Sequence, residues 1–210
     1  MGVVHFSIGS TIAFSVESYV TVRGFPKNRL AGEDFYLLNK IAKIGQVYLR
    51  KSDPIVLQAR FSERVPFGTG QSIRMIKEYF VNEEPYLVYH PECFDILYLW
   101  IYAAEYSLNE VVANKKIETK KTIRVLFHYC KNTLTILEKI GVEELLSFLE
   151  KFKYIEGLER MRLSSREQTI AIKNFHIWFD AFKTLKFIHQ VRDCYCGTVD
   201  LKTLKIIYED

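Results

Sequence analysis

The feature that most constrains this fold is a long carboxy-terminal series of apolar residues at helical spacing. Within 119–140 the apolar side chains recur every three or four positions, which places them on one face of an α-helix. They are Ile123, Leu126, Phe127, Cys130, Leu134 and Leu137. Similar spacing predicts helices over 94–114, 142–152 and 166–191. Because each stripe needs a partner to cover it, the sequence predicts a C-terminal helical bundle.

Local signals predict the stop of one of these helices and the start of another. Gly141 is the expected stop of the second helix, since glycine readily adopts the backbone conformations that end a helix. Ser165 is followed three residues later by Gln168, which is typical of a capping box at a helix start. The tail from Cys196 to Leu204 predicts a turn and a short helix.

The most apolar window, 94–108, does not have the properties of a membrane span. It contains Asp95 and Glu105 and is shorter than the run of about 20 apolar residues that a bilayer core requires. Residues 1–13 lack the basic start and cleavage site of a signal peptide. We therefore expect a cytoplasmic protein. Contact of the helices with a membrane surface or with another protein stays an open alternative.

An acidic pair opens a shorter helix near the amino terminus. Glu33 and Asp34 precede a run of apolar residues at helical spacing that ends near Gly45. The partial positive charge of a helix start favours ionised carboxylates there, and an ionised carboxylate can act as a general base. Acidic residues are also common in the first turn of helices that have no catalytic role. These residues alone therefore leave both interpretations open, a general base and an ordinary helix start.

Shorter elements are expected around this helix. The pattern predicts strands at 3–8, 46–50 and 54–59, a short helix at 16–22, and a further helix from Ser72 onward.

Two arginines precede a glycine-containing loop. Arg60 and Arg64 are followed by Gly68-Thr69-Gly70, after which the helical pattern begins. Guanidinium groups and the free N–H groups of a helix start both fit phosphate oxygens, so the segment is a candidate phosphate site. The alternative is that the arginines are solvated or pair with Glu63.

An ordered set of motifs covers roughly the first 75 residues. They are Gly9-Ser10-Thr11-Ile12-Ala13-Phe14, Gly24-Phe25-Pro26, Ala31-Gly32-Glu33-Asp34 with Leu37-Leu38, Gly45, and the segment from Arg60 to Gly70. Together they resemble the second half of the catalytic domain of family 2 glycosyltransferases. These inverting enzymes of the GT-A fold move a sugar from a nucleotide donor to an acceptor hydroxyl. One position departs from the family: Arg23 stands before Gly24 where a second glycine is usual.

The resemblance implies roles for individual residues. Asp34 matches the general base, and Glu33 would orient the acceptor or its loop. Gly24 and Phe25 match the acceptor loop. Arg60, Arg64, Gly68, Thr69 and Gly70 match the region that closes over the donor diphosphate and the acceptor. The implied partners are a nucleotide-sugar and an acceptor glycan or lipid-linked acceptor.

The nucleotide-binding half of such an enzyme has no counterpart in this sequence. That half carries an Asp-x-Asp pair for a divalent metal, and no two aspartates here are separated by a single residue. We expect the chain to be the acceptor-side part of a longer glycosyltransferase and to be inactive alone. No metal or cofactor is expected in this chain; Mg²⁺ or Mn²⁺ would come only with the missing half.

The expected fold class is α+β, mostly α, in three parts. Residues 1–75 would be the acceptor-side part of a GT-A-like domain, 76–92 a connector and 93–210 an α-helical extension. The alternative is a non-catalytic remnant whose helical region is a protein-interaction or membrane-surface module. The net charge of +4, from 29 basic and 25 acidic residues, is too balanced to indicate nucleic-acid binding.

The four cysteines lack the paired Cys-x-x-Cys spacing of a structural zinc site. They are Cys93, Cys130, Cys194 and Cys196. We expect reduced thiols, with a redox or metal role for the closely spaced Cys194 and Cys196 as the alternative.

Overall fold

The structure, a computed structural model, describes residues 12–26, 32–48, 56, 61, 69–82, 84–113, 118–131 and 135–208. In this part of the chain the fold is mostly helical with two short strands, which confirms the expected α+β, mostly α, class. The chain divides into two units: Met1–Val88 together with Val199–Asp210, and Tyr89–Thr198.

The described residues form helices, one π-helical turn and two short strands. In chain order they are α1 (Val16–Thr21), α2 (Glu33–Ile41), α3 (Thr69–Asn82), β1 (Leu87–Tyr89), α4 (Glu92–Ala113), α5 (Thr119–Cys130), α6 (Thr135–Ile140), α7 (Val142–Lys151), α8 (Tyr154–Ser164), α9 (Gln168–Trp178), α10 (Ala181–Val191), a π-helical turn (Arg192–Cys196), β2 (Thr198–Asp200) and α11 (Leu201–Tyr208). The strands β1 and β2 pair with each other.

The second unit is built around α4. Buried residues recur along this helix at helical spacing, and Trp100, with 1% of its surface exposed, lies at the centre of the apolar core. The Trp100 ring stacks on Phe187 at 6.4 Å between ring centroids and meets Phe175 edge-on at 6.1 Å. Large aromatic rings bury much apolar surface, so these contacts fix how α9 and α10 pack on α4.

Two of the predicted long helices are interrupted. The helix expected over 119–140 is divided into α5 and α6: α5 ends where Lys131 N donates to the carbonyl O of His128 (3.4 Å), a tighter spacing than in an α-helix. The helix expected over 166–191 is divided into α9 and α10. Asp180 begins α10, because its Oδ1 accepts a hydrogen bond from Lys183 N (3.2 Å) as an N-cap.

Of the two predicted helix boundaries, the stop at Gly141 is confirmed and the start at Ser165 is wrong. Gly141 follows the last residue of α6 with φ 87°, as expected for a helix stop. The capping box at Ser165 is wrong: α9 begins at Gln168 after Glu167, and no side chain caps it. Ser165 instead ends α8, and its Oγ accepts a hydrogen bond from Asn174 Nδ2 (3.1 Å).

The first unit contains the short helices expected near the amino terminus. The helix predicted at 16–22 is α1, and the helix predicted from Ser72 is α3, which starts three residues earlier. Residues 46–48, the described part of one predicted strand, are irregular. The predicted strand at 3–8 lies outside the described residues, as does 54–59 apart from Val56.

The carboxy-terminal helix of this unit is anchored to α3. Lys202 Nζ lies 5.3 Å from the centroid of the Tyr79 ring, and the Tyr79 ring meets Tyr86 at 6.0 Å. Leu201 N also donates to the carbonyl O of Tyr86 (3.0 Å). Among the described residues, no helix combines the length and the apolar character needed to cross a bilayer.

Candidate functional site

The acidic pair lies in the first turn of α2, as the sequence predicts. Gly32 precedes the helix with φ 76°, a left-handed conformation that glycine adopts without strain. Glu33 is exposed and Asp34 is partly buried. The Oδ1 atom of Asp34 accepts a hydrogen bond from Phe35 N (2.7 Å), which satisfies one free N–H of the helix start and fixes the carboxylate orientation.

The predicted acceptor loop packs tightly against α1. Gly24 has φ 65°, and its N donates to the carbonyl O of Tyr19 (2.8 Å). A Cβ atom at Gly24 would lie 2.8 Å from the Tyr19 ring, closer than such contacts normally come. The backbone conformation therefore favours glycine here, and a larger residue would also have to displace the Tyr19 ring.

Three aromatic side chains surround this loop. Phe14 stacks on Tyr19 with ring centroids 5.2 Å apart, and Phe25 meets the two rings edge-on at 6.2 and 5.8 Å. Phe14 and Phe25 each expose about two fifths of their surface. We name this trio, which packs around the predicted acceptor loop, the acceptor-loop cluster.

Lys40 connects the loop to the helix that carries the acidic pair. Its Nζ donates to the carbonyl O atoms of Val22 (3.2 Å) and Gly24 (3.5 Å). Lys40 lies in the last turn of α2, where the helix dipole favours a cation. Sequence reasoning missed Lys40, because its partners lie 16 and 18 residues earlier and no local pattern reveals them.

The structure leaves the predicted diphosphate segment mostly undescribed. Arg60, Arg64 and Gly68 lie outside the described residues. Thr69 and Gly70 are the first two residues of α3, so they are helical where the sequence predicts a loop before the helix. The described structure thus brings Gly24 and Phe25 into one unit with Glu33 and Asp34, and the arginine contribution stays a prediction.

Metal ligation has no support in the described ranges. There, no group of three or more His, Cys, Asp or Glu side chains is arranged to hold a metal ion. Comparisons of the chain with protein-family models, with curated proteins and with solved structures find no match. The family resemblance therefore depends on the ordered motifs alone.

Proposed function

We propose that this chain is the acceptor-side part of an inverting, family 2-like glycosyltransferase of GT-A type, with Asp34 as general base. The observation that carries the proposal is the pair of hydrogen bonds from Lys40 to the carbonyls of Val22 and Gly24. They join the candidate acceptor loop to the last turn of α2, the helix whose first turn carries the candidate base. The order of the motifs along the sequence supports the same assignment.

Asp34 would act on the acceptor hydroxyl. A hydroxyl is a poor nucleophile until a carboxylate within hydrogen-bonding distance takes its proton. As the acceptor oxygen bonds to the anomeric carbon, the bond from that carbon to the nucleoside diphosphate breaks and the sugar inverts. The hydrogen bond from Phe35 N orients the carboxylate for this step. Arg60 and Arg64 would offset the negative charge on the leaving diphosphate.

The other expected properties follow from this role. The acceptor-loop cluster would hold the acceptor glycan or lipid-linked acceptor, with Glu33 orienting it. The nucleotide-sugar, with Mg²⁺ or Mn²⁺, would bind the upstream half of the enzyme. Residues 93–210 would form a helical-bundle extension in a cytoplasmic enzyme that has peripheral membrane or protein contacts.

The test uses the full-length enzyme with its upstream half. Asp34→Asn should abolish sugar transfer and leave nucleotide-sugar binding unchanged, because the amide keeps the shape but cannot take a proton. Glu17→Gln is the matched control, since Glu17 is an exposed acidic residue in the first turn of the neighbouring helix α1. Transfer at the wild-type rate in Asp34→Asn would remove Asp34 from the role of base.

An aromatic stripe on α4 favours a second candidate function, a non-catalytic protein-interaction or membrane-surface module. Four aromatic side chains recur every four residues and are exposed: Phe94, Tyr98, Tyr102 and Tyr106. The rings of Tyr98 and Tyr102 are nearly parallel, 6.3 Å apart. Exposed aromatic surface of this kind is enriched at interfaces. Titration of the full-length protein with nucleotide-sugar and Mn²⁺ separates the candidates, because a remnant would bind neither.

A further inference from the structure

Two thiols that are distant in sequence lie together in the second unit. Cys93 is the second residue of α4 and is fully buried, and Cys196 is the last residue of the π-helical turn and is partly exposed. The two thiols are hydrogen-bonded to each other, and neither belongs to a disulfide. Cys196 therefore pairs with Cys93, and not with Cys194, which is its neighbour in sequence and is exposed.

The π-helical turn gives Cys196 this position. Gly197 N donates to the carbonyl O of Arg192 (2.8 Å), so the turn contains one more residue than an α-helical turn. The Tyr195 ring packs on Phe148 at 5.4 Å, which anchors the turn on the core next to α4. Both thiols are thus held by packed elements.

The cluster around the thiols carries charge and hydrogen-bonding groups. Arg192 lies over the Tyr89 ring at 5.7 Å, and its Nε donates to Asp193 Oδ1 (2.7 Å). The Tyr89 hydroxyl is hydrogen-bonded to His189 Nε2 (2.6 Å). Burial raises the pKa of the Cys93 thiol, although the nearby Arg192 opposes this effect, and burial raises the pKa of Cys196 to about 12.

We propose that Cys93 and Cys196 are a redox modification site, where a peroxide converts the thiol pair into a disulfide. The Cys196 thiolate, the more accessible of the two, attacks one peroxide oxygen; the O–O bond breaks, Cys196 becomes a sulfenic acid, and the released hydroxide takes a proton to become water. Cys93 then attacks the Cys196 sulfur, the S–O bond breaks, and a second water leaves. Two thiols and one hydrogen peroxide thus give one disulfide and two waters.

The bond would close a long loop and fix the π-helical turn to α4. The two cysteines are about 100 residues apart, and a cross-link over that separation restricts the unfolded chain strongly. The oxidised protein should therefore unfold at a higher urea concentration than the reduced protein. Because the thiolate is the nucleophile and both thiols have raised pKa values, oxidation should be slow at neutral pH and faster as the pH rises.

The test is peptide mapping of the whole, folded chain after treatment with hydrogen peroxide and alkylation of the remaining thiols. We expect a cross-linked peptide pair that contains Cys93 and Cys196, the loss of two of the four free thiols, and a higher urea midpoint that a reductant reverses. Oxidation in concentrated urea should not favour this pair, because the unfolded chain does not hold the two sulfurs together.

Variants separate this pair from the other cysteines. Cys194→Ala removes the exposed thiol two residues away and should leave the Cys93–Cys196 cross-link unchanged. Cys93→Ala should abolish the cross-link, and peroxide should then leave Cys196 as a sulfenic or sulfinic acid. A predominant Cys194–Cys196 disulfide in the folded wild-type chain, or four thiols that stay free after peroxide treatment, would overturn the proposal.

Discussion

Gly157 lies directly against the indole ring of Trp178. A Cβ atom at Gly157 would be 1.9 Å from Cζ2 of that ring, far inside any van der Waals contact. Gly157 is the fourth residue of α8 and Trp178 is the last residue of α9. The absence of a side chain at this one position therefore sets how closely α9 approaches α8.

We expect Gly157→Ala to destabilise the second unit. Alanine normally favours a helix over glycine by about 1 kcal/mol, but a methyl group forced into a packed core costs roughly 1–3 kcal/mol. A methyl carbon 1.9 Å from Cζ2 is a severe clash, so its cost should be at the upper end of this range. The clash should therefore outweigh the gain in helix propensity. Urea unfolding followed by circular dichroism measures the difference.

A double-mutant cycle provides the control for this prediction. Trp178→Leu removes the ring that the new methyl group meets, so Gly157→Ala should cost much less in that background. If Gly157→Ala destabilises both backgrounds equally, the contact with Trp178 is not the cause.

A second prediction concerns Glu159, which joins α8 to α5. Its carboxylate accepts hydrogen bonds from Thr119 Oγ1 and from Arg162, and Arg162 is largely buried. Burial raises the pKa of Glu159, but the hydrogen bonds from Arg162 and Thr119 outweigh burial, and the net pKa is lowered. We expect Glu159→Gln to lower the free energy of unfolding by roughly 1–2 kcal/mol at neutral pH.

The pH dependence of stability and a control substitution at Glu156 test whether the ionised Glu159 carboxylate is the cause. Because the folded-state pKa of Glu159 is lowered, its contribution is present above the ordinary value of 4.5 and is lost as the pH falls through the folded-state value. The two proteins should therefore converge in stability in acid. Glu156→Gln, on the same helix, breaks only the exposed pair with Arg160 and should change stability by less than about 0.5 kcal/mol. A constant difference at all pH values would contradict this explanation.

A third prediction concerns the alkaline limit of stability. Tyr154 is buried, and its hydroxyl donates to Gln190 Oε1 (2.6 Å). Burial raises the pKa of Tyr154, and burial also raises that of Tyr195, with the carboxylate of Glu144 adding to the effect. Above the ordinary tyrosine pKa of about 10, the unfolded chain loses these protons while the folded protein keeps them, so stability should fall as the pH rises.

Tyr154→Phe isolates the contribution of one hydroxyl. At about pH 8 the variant should be less stable than the wild type by about 1 kcal/mol, because the hydrogen bond to Gln190 is lost. At about pH 10.5 the difference should be smaller, since phenylalanine has no proton to lose in the unfolded state. Urea midpoints at the two pH values measure this, and a difference that grows with pH would exclude Tyr154 as a source of the alkaline loss.

The sequence predicts the helices better than it predicts their interruptions. Apolar spacing locates α4, α5, α7, α9 and α10, because each of them buries one face. The same stripe continues through Phe175 and Phe179, both buried, so spacing alone cannot show the break before Asp180. Apolar spacing does not predict helix α8, because this segment contains Gly157 and many charged residues. Its packing against Trp178 outweighs the unfavourable propensity of glycine.

Some features of the candidate sites can be predicted from neighbouring residues in the sequence, and others depend on contacts between residues that are far apart in it. Local spacing predicts the first-turn position of Glu33 and Asp34, and the structure confirms it. The partners of Lys40 and of Cys93 lie far away in sequence, and only the folded chain brings them together. In the sequence Cys194 and Cys196 are the closely spaced pair, whereas in the folded chain the thiol of Cys196 is hydrogen-bonded to that of Cys93.

A fourth prediction tests whether Lys40 holds the candidate acceptor loop. Lys40→Met keeps much of the side-chain length but removes the two hydrogen bonds to the carbonyls of Val22 and Gly24. Trypsin cleaves after Arg23, inside this loop, so the variant should be cut there several-fold faster than the wild type, since proteolysis requires local opening. Lys186→Met removes the same charge at an exposed position of α10 and should leave that rate unchanged. Equal cleavage after Arg23 in the wild type and Lys40→Met would show that packing around Tyr19 is sufficient to hold the loop.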